Sequence, residues 1–415
     1  MSYRYIIAFS IITILCSLLD IYTWRGLQKT VSKRVFRFFK WFIPVTTFLF
    51  FLGFILTIYR AGQGMYNAHY LLNIITGFTF GVFLAKLLIA APFLIEDIFR
   101  YPVYIIRKIK KEKRTDSAMP SRRRFVRNIS LSLAAIPISG TIYAITRGKY
   151  NYQVKELTLF FDDLPEEFDG FKIGHFSDFH AGSFDDLEQV RGGLQLLSNG
   201  NPDMIVFTGD LVNNRPQEAL PFVEMLRELK APFGKYSILG NHDYGDYMPF
   251  KNEEERKKNR TQLEGIHRDA GFDLLNNTRR TIHKGTDSIS LLGVENWGND
   301  PFPKYGDLDS VTDGLSEKEF KILLSHDPDH WEYVTKDHQQ HIHVTLSGHT
   351  HGAQFGVDIP GWQWSPVKYR YKRWLGLYEH KNQFLFVSKG FGFLGFPGRI
   401  GMSPEIIQFT LKKNT

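Results

Sequence analysis

Long apolar stretches fill the first part of the chain, and short apolar runs alternate with polar clusters in the rest. Three long stretches cover residues 5–22, 41–59 and 71–95, and a shorter fourth covers residues 129–145. Each can span, or nearly span, a hydrocarbon core of about 30 Å. Too little polar sequence separates the first three to wrap them as buried globular helices, so the pattern predicts about four membrane-spanning helices.

This pattern divides the chain into four parts. Residues 1–98 are predicted to hold three transmembrane helices, residues 99–128 a basic cytoplasmic linker, and residues 129–146 a fourth transmembrane or signal-anchor helix. Residues 147–415 are predicted to form the globular domain. Lys86 lies in the third apolar stretch, where it could mark a polar pathway, but we expect it to snorkel to the interface or to end a shorter span.

Positive charge is concentrated in the membrane region. Residues 1–150 contain 22 Lys and Arg against 5 Asp and Glu, a net charge of +17, whereas the whole chain carries +8 and the remainder therefore −9. This acidic remainder argues against a nucleic-acid partner. Residues 25–40 contain six Lys and Arg, residues 60–70 one, and residues 100–128 eleven. Because basic loops stay cytoplasmic, the globular domain is predicted to be extracytoplasmic, on the outer side of the cytoplasmic membrane.

A run of arginines precedes the fourth apolar stretch. Residues 121–127 read Ser-Arg-Arg-Arg-Phe-Val-Arg, which resembles a twin-arginine signal and would make the twin-arginine export machinery a partner. An equally good interpretation is an ordinary positive-inside anchor. Both interpretations place the globular domain on the same side. The only cysteine, Cys16, excludes an intrachain disulfide.

Five short apolar runs in the globular domain are predicted to be buried strands, because they are rich in Ile, Val, Leu and Phe and end at Gly or a polar residue. The runs are residues 171–176, 204–208, 236–239, 322–324 and 342–346. A polar cluster follows each run, and open α/β sheets gather their sites at the carboxyl edge. The clusters contain Asp178 and His180; Gly209 and Asp210; Gly240, Asn241, His242 and Asp243; His326; and Gly348, His349, Thr350 and His351.

These residue types suit a hydrolytic site with two divalent metal ions, which needs imidazole and carboxylate ligands and one carboxylate that bridges both ions. Asp210 is the natural bridge. In Asp178-x-His180 and His349-x-His351, alternate residues of an extended segment would project to the same side, so each pair is predicted to face one ion. A single cluster would be equally consistent with an ordinary turn or a hydrogen-bonded core residue. The joint occurrence of all five favours the metal site.

The ordered clusters resemble the calcineurin-like metallophosphoesterase superfamily. Further details are similar to its membrane-attached YkuE-like branch of transmembrane proteins with a metallophosphoesterase domain, namely residues 325–329, Gly352, Gln354 and residues 404–406. The resemblance implies an α/β fold, a four-layer αββα sandwich over residues 147–415, after an α-helical membrane region of about four spans. It also implies an enzyme that hydrolyses phosphoester or phosphoanhydride bonds.

The resemblance further implies a role for each site residue. The first metal ion would be held by Asp178, His180, Asp210 and His351, and the second by Asp210, Asn241, His326 and His349. His242 would stabilise the transferring phosphoryl group or protonate the leaving oxygen. The nucleophile would be a metal-bridging hydroxide. The ions could be Mn, Fe, Zn or similar, since nitrogen and oxygen ligands accept several metals.

One position departs from the family's pattern. Many members carry a second acid three residues after the bridging aspartate, where it orients the catalytic histidine, but this chain has Asn213 there. Either Asp243 takes this role, and is then a catalytic residue together with His242, or His242 is less basic than its counterparts.

Two segments bear on the substrate. Residues 361–378 mix Trp and Tyr with Lys and Arg, which suits a membrane interface or an anionic headgroup, although the composition slightly favours an edge hairpin with cross-strand aromatic pairs. Residues 390–399 form a Gly- and Phe-rich loop that ends at Arg399. This arginine could contact a phosphate, or the loop could simply close the fold.

These observations predict a membrane-anchored phosphohydrolase. Its expected partners are membrane lipids and a phosphorylated lipid or cell-envelope substrate, and no nucleic acid. One alternative is a UDP-2,3-diacylglucosamine-type pyrophosphatase, whose cytoplasmic substrate an outward-facing domain would not meet. An alternative of another class is a non-catalytic membrane sensor or scaffold.

Overall fold

The computed structural model describes residues 3–28, 30–62, 70–110 and 119–414. Four long helices come first, namely α1 (Tyr3–Gln28), α2 (Lys33–Gly62), α3 (Tyr70–Ile109) and α4 (Met119–Thr146). All four are long and apolar enough to cross a membrane, as predicted. At 1.5 Å per residue, α3 is about 60 Å long, which is roughly twice the thickness of a hydrocarbon core. Helices α3 and α4 therefore take up much of the predicted linker, of which residues 111–118 lie outside the described part.

Lys86 does not snorkel, contrary to the expectation from sequence. Its side chain is only 4% exposed, and its ammonium lies 3.0 Å from a carboxylate oxygen of Asp20 in α1. The same ammonium donates to the carbonyl of Ile43 and to the hydroxyl of Thr47 in α2, both at 2.6 Å. A charge in apolar surroundings is stable only when it is paired and hydrogen-bonded. Lys86 thus joins three helices through polar contacts.

The rest of the chain alternates strands with short helices. The strands are β1 (Gln153–Phe161), β2 (Lys172–Phe176), β3 (Met204–Phe207), β4 (Lys235–Ser237), β5 (Asp273–Leu274), β6 (Thr278–Lys284), β7 (Asp287–Gly293), β8 (Lys321–Leu324), β9 (Val344–Ser347), β10 (Val357–Ile359), β11 (Trp362–Trp364), β12 (Gly376–His380), β13 (Gln383–Val387) and β14 (Glu405–Lys413). The helices are α5 (Leu187–Asn199), α6 (Val223–Glu228), α7 (Glu253–Asp269), α8 (Leu308–Thr312) and α9 (Asp329–Tyr333).

Two six-stranded sheets form the middle of this domain. One has the order β1-β14-β2-β3-β4-β5 and the other β12-β13-β9-β8-β7-β6, while β10 and β11 form a separate hairpin. The five predicted strands are β2, β3, β4, β8 and β9. Strands β2, β3 and β4 are parallel neighbours in the first sheet, and β8 and β9 are parallel neighbours in the second. Their carboxyl ends therefore lie at one edge of each sheet.

The layers follow from the alternation of side chains along the strands. In β3, Met204 and Val206 belong to a core that also contains Ile322 and Leu346 of the other sheet. Ile205 and Phe207 point the other way and belong to a core with residues of α5, α6 and α7. On the far side of the second sheet, residues of β7 and β8 pack with α8. The order helix, sheet, sheet, helix confirms the predicted sandwich.

By its internal contacts, the chain separates into two compact units. One contains the four long helices as far as Tyr143, and the other contains Ala144–Thr415. The last residues of α4 therefore belong to the same unit as the sandwich.

Candidate metal centre

The polar clusters are held in tight turns at the strand ends. Five of the candidate ligands have a positive φ, namely Asp178, His180, Asp210, His349 and His351, with values between 50° and 73°. A non-glycine residue in this region is strained, and such strain is typical of functional sites. The segments Asp178-x-His180 and His349-x-His351 are therefore not extended. The prediction that alternate side chains project to one side assumed an extended backbone, and that assumption is wrong.

Glycines allow the turns to approach one another. Gly209 has a φ of +93°, and a Cβ atom on it would lie 2.4 Å from the backbone nitrogen of Gly240. A Cβ atom on Gly240 would lie 2.2 Å from Oδ1 of Asp210. Real Cβ atoms do not come so close, so these two glycines are needed where the second and third clusters meet.

The first group of converging ligand atoms comes from Asp178, His180 and His351. All three residues are buried, and one ligand atom of each lies within 4.8 Å of the others. Nε2 of His351 lies 3.0 Å from Nε2 of His180 and 3.3 Å from Oδ1 of Asp178. The two histidines come from clusters 171 positions apart in the chain.

The second group comes from Asp210, His326 and His349, again with ligand atoms within 4.8 Å of one another. Nε2 of His326 lies 3.1 Å from Oδ2 of Asp210. The amide oxygen of Asn241 completes this group, because it lies 2.7 Å from Nδ1 of His349 and 3.1 Å from Nε2 of His326. His349 and His351 thus belong to different groups, although the spacing alone predicted that both face one ion.

Asp210 lies between the two groups. Its Oδ2 atom is 3.5 Å from Nε2 of His180 in the first group and 3.1 Å from Nε2 of His326 in the second. Its Oδ1 atom accepts a hydrogen bond from the backbone of His242 at 2.8 Å. One oxygen of this carboxylate is therefore available to both groups, as a bridging ligand requires.

The donor set fits metal ions. Nδ1 of His326 donates to the carbonyl of Thr208 at 2.7 Å, because a carbonyl can only accept. In its neutral form, which is the form that binds a metal ion, the ring would direct the lone pair of Nε2 at two oxygen atoms, Oδ2 of Asp210 and Oδ1 of Asn241. In His180, Nδ1 likewise lies 3.1 Å from the amide oxygen of Asn213, which leaves Nε2 for the site. Lone pairs on nitrogen and oxygen atoms repel one another when no proton lies between them. A metal ion bound between these atoms removes the repulsion.

The pKa values of the buried site residues also favour a bound cation. Burial alone would lower the pKa of His326, but the charge of Asp210, with which it also hydrogen-bonds, raises that pKa to about 10. Burial raises the pKa of Asp178 to about 6, and the neighbouring Asp210 carboxylate adds to the effect. Burial lowers the pKa of His180 to about 3. The carboxylates therefore favour a positive charge within the buried site, although burial keeps water from stabilising that charge.

The structure corrects the predicted role of Asp243. This side chain is fully buried, and its two oxygens accept hydrogen bonds from the backbone amides of Gly240, Asp210, Leu211 and Val212. Nδ1 of His242 instead lies 2.8 Å from the backbone carbonyl of Asn213. Asp243 thus fixes the turns that carry the candidate metal ligands, and a main-chain oxygen orients His242, the candidate general acid.

Sequence reasoning missed several side chains that hold the ligands. Nε2 of His349 lies 2.7 Å from the hydroxyl of Tyr371 and 3.4 Å from Oδ2 of Asp327. The amide nitrogen of Asn241 donates to the hydroxyl of Tyr247 at 2.7 Å, which leaves the amide oxygen for the site. Tyr371 belongs to the aromatic and basic segment, so its composition alone pointed to a membrane surface and not to the metal centre.

Arg399 is not placed to bind a substrate phosphate. Its side chain is 1% exposed and donates to the carbonyls of Lys389, Gly392 and Met402. Its Nη2 atom lies 3.3 Å from Nδ1 of His351. It therefore closes the loop around a ligand histidine, as the alternative interpretation of this loop expected.

Comparison with known proteins agrees with this geometry. A family model described as "Probable Calcineurin-like phosphoesterase, transmembrane domain" matches residues 3–149. A second model, described as "Calcineurin-like phosphoesterase", matches residues 171–353. The two matches cover the helical region and the part of the sandwich that carries the polar clusters.

The chain is 32% identical over 300 residues to the uncharacterized metallophosphoesterase YkuE of Bacillus subtilis (strain 168), which covers 70% of this chain and 98% of that protein. The chain belongs to the calcineurin-like metallophosphoesterase family. It is a phosphoester hydrolase joined to a membrane-spanning region, as predicted.

Two further proteins are similar in sequence to this metallophosphoesterase. The transmembrane protein with metallophosphoesterase domain of Danio rerio is 25% identical over 283 residues, covering 66% of this chain and 60% of that protein. An uncharacterized metallophosphoesterase of Aquifex aeolicus (strain VF5) is 27% identical over 266 residues, covering 63% of this chain and 93% of that protein.

Proposed function

We propose that this metallophosphoesterase uses two divalent metal ions to hydrolyse a phosphoester or pyrophosphate bond of a lipid or cell-envelope phosphate. The observation that carries the proposal is the position of Oδ2 of Asp210 between two groups of buried ligand atoms. Asp178, His180 and His351 would hold one ion, and Asn241, His326 and His349 the other, with Asp210 shared. The ions would be Mn, Fe, Zn or similar.

The chain's own residues support this chemistry. When bound, the metal ions would activate water and neutralise charge that develops on the phosphoryl oxygens. Nδ1 of His242 is occupied by the carbonyl of Asn213, so a proton that this ring passes to a leaving oxygen must come from Nε2. The ring is half-buried and packs against His180 and Tyr247, with ring centroids 5.0 and 4.6 Å away. These contacts fix its position beside the first metal group.

The membrane region favours a lipid or envelope substrate. The four helices keep the enzyme at the bilayer, where amphiphilic phosphates are concentrated. The basic first and third loops favour a catalytic domain on the outer side of the cytoplasmic membrane. A nucleotide-linked lipid such as UDP-2,3-diacylglucosamine is cytoplasmic and would not reach such a domain.

Metal counting and an activity screen test the proposal together. The detergent-purified full chain is loaded with Mn, Fe or Zn, its metal content is measured, and it is assayed on lipid phosphates, nucleotide diphosphate sugars and an aryl phosphodiester. We expect two ions per chain and turnover of at least one lipid or envelope phosphate. Asp210→Asn should lose both metal and activity, whereas His338→Ala, at a half-buried histidine that pairs with the exposed Asp309 and belongs to neither ligand group, should keep both. Fewer than two ions in the metal-loaded wild type contradicts the proposal.

A single-cysteine experiment tests the side of the membrane. Lys318 is exposed in the loop before β8, and Cys16→Ala provides a cysteine-free background. In the double variant Cys16→Ala, Lys318→Cys, an impermeant maleimide should label intact cells. Labelling that occurs only after lysis would place the catalytic domain in the cytoplasm.

A further inference from the structure

Strand β1, whose Lys155 lines the same groove as the hairpin of β10 and β11, follows the fourth long helix after a short path of chain. Helix α4 ends at Thr146 and β1 begins at Gln153, so Lys155 is nine residues beyond the span. Nine extended residues reach at most about 30 Å, and part of this segment is coiled into a helical turn. The amino-terminal end of β1 therefore lies within about 30 Å of the end of α4.

A second path leads from the same helix end to the hairpin. Gly398 packs directly on α4, because a Cβ atom there would lie 2.8 Å from the backbone carbonyl carbon of Ala144. Gln354 donates to the carbonyl of Gly398 at 3.1 Å, and the backbone of Gly356 donates to the carbonyl of Ile400 at 2.9 Å. Strand β10 starts at the next residue, so the start of the hairpin is linked by these contacts to Ala144, which belongs to the same compact unit.

The hairpin exposes large apolar side chains next to cations. Ile359 is 52% exposed and Trp362 is 59% exposed, and they face each other across the two strands. Lys155 lines the same groove, which has a volume of about 530 Å³. The following turn exposes Tyr369, at 78%, with Lys368 5.7 Å from its ring.

The charges suit anionic headgroups. The acid of the hairpin, Asp358, is neutralised by the ammonium of Lys389 at 2.7 Å and accepts a hydrogen bond from Gln363. Lys155 and Lys368 are exposed, and Lys155 lines the same groove as Asp358. Tryptophan, tyrosine and lysine together are typical of the interface between a bilayer and water.

We propose that this hairpin, with the turn that follows it, docks on the surface of the bilayer that anchors the chain, with Ile359 and Trp362 in the headgroup layer and the lysines on anionic lipids. The same segment reaches the metal centre. Tyr371 contacts His349, and the carbonyl of Trp374 accepts a hydrogen bond from Thr350 at 2.8 Å. Docking would therefore set the distance between the metal centre and lipid phosphates, a consequence that rests on the proposed function.

Fluorescence quenching by lipid tests the docking without any need for turnover. In the Cys16→Ala background, Trp362→Cys is labelled with an environment-sensitive dye, and the full chain is placed in vesicles that contain anionic lipid and shallow doxyl-labelled lipid. The matched control carries the dye at Lys318→Cys, before β8, on the side of the sheet away from the metal centre. We expect strong quenching at position 362 and little at position 318. Equal quenching at both positions overturns the proposal.

Two further measurements separate the other outcomes. Crosslinking of the Trp362→Cys variant into dimers, without lipid quenching, would mean that a second copy of the chain covers the hairpin and would also overturn the proposal. For function, the double variant Ile359→Ser, Trp362→Ser should lose about tenfold or more of its activity on a lipid phosphate in vesicles, and keep its activity on a soluble aryl phosphodiester. If the wild type hydrolyses neither substrate, the proposed function fails while the quenching result still decides the docking.

Discussion

Nδ1 of His242 donates its hydrogen bond to the backbone carbonyl of Asn213, at 2.8 Å. The position at which many family members carry an orienting acid thus still orients the histidine here, but through the main chain. The side chain of Asn213 is used elsewhere, because its oxygen lies 3.1 Å from Nδ1 of His180 and its nitrogen donates to Ser183 at 3.0 Å. Asn213 therefore supports both His242, the candidate general acid, and His180, a candidate metal ligand. The two contributions can be separated by substitution.

Removing the imidazole of His242 should slow the reaction and leave the metal site intact. In the proposed function, His242→Ala lowers kcat by about 10²- to 10⁴-fold, the range that general acid catalysis contributes. The two groups of ligand atoms do not include this ring, so the metal content should equal that of the wild type. Metal analysis and kcat on an aryl phosphodiester check both statements. Unchanged activity would exclude His242 from the chemistry and favour a non-catalytic sensor or scaffold.

Substitution of Asn213 should affect metal binding more than turnover. Asn213→Ala removes the oxygen that holds His180, and such supporting contacts are typically worth about 10- to 100-fold in metal affinity. The carbonyl that holds His242 remains, so kcat at saturating metal should change little. Asn213→Asp should bind metal at least as tightly as the wild type, because a carboxylate makes the histidine a stronger ligand. A fall in kcat of Asn213→Ala that excess metal does not reverse would contradict this division of roles.

The buried ion pair of Lys86 and Asp20 should be more sensitive to single than to double substitution. Lys86→Met leaves the carboxylate of Asp20 without its cation, which costs about 3 kcal/mol or more when an ion pair is buried. The double variant Asp20→Asn, Lys86→Met removes both charges and should recover most of that stability. Thermal unfolding in detergent measures the difference, with Lys33→Met, at an exposed position, as the control. Equal stability of the single and double variants would show that the pair is not coupled.

Buried neutral histidines should make the domain sensitive to acid. Burial lowers the pKa of His267 to about 3, and its Nδ1 atom is hydrogen-bonded to Ser237. In the unfolded chain the usual pKa is about 6.5, so the unfolded state takes up the proton first as the pH falls below that value. The free energy of unfolding then decreases by about 1.4 kcal/mol per pH unit for each such histidine, between about pH 6 and pH 3.

Urea unfolding at several pH values checks this dependence. His267→Gln should reduce the slope by the contribution of one proton, whereas His283→Gln, at an exposed position, should leave the slope unchanged. The remaining slope in the variant reflects other buried histidines, such as His175, whose pKa burial also lowers to about 3. An unchanged slope in His267→Gln would mean that this ring is protonated in the folded state.

Much of the site could be predicted because its residues follow apolar runs in a recognisable order. Asp210, for example, was predicted to bridge from its residue type and its motif, and the structure places one of its oxygens between the two ligand groups. The spacing of His349 and His351 was misleading, because positive φ values turn the chain and send the two rings to different groups. Backbone conformation at a strand end depends on the turns packed against it, and local sequence does not reveal those.

The contacts that hold the ligand side chains and the buried lysine in place could not be predicted from local sequence either. Nothing local to Tyr371 indicates that its hydroxyl will meet His349, and nothing local to Lys86 indicates that Asp20 lies beside it. Asp243 was predicted to orient His242 because it is its neighbour in sequence, but it binds backbone amides of an adjacent turn. Contacts between distant segments are set by packing, which sequence pattern alone does not specify.

The sequence by itself determined the four apolar helices, the five buried strands and the list of metal-ligand candidates, because hydrophobic periodicity and residue chemistry are local properties. The two-sheet sandwich was expected from the family resemblance. The tertiary structure decided which ligand atoms share a group, which oxygen orients His242, and which side chain meets Nε2 of His349. These relationships join residues that are far apart in the chain, and they form only when the sheets pack and close the loops on one another.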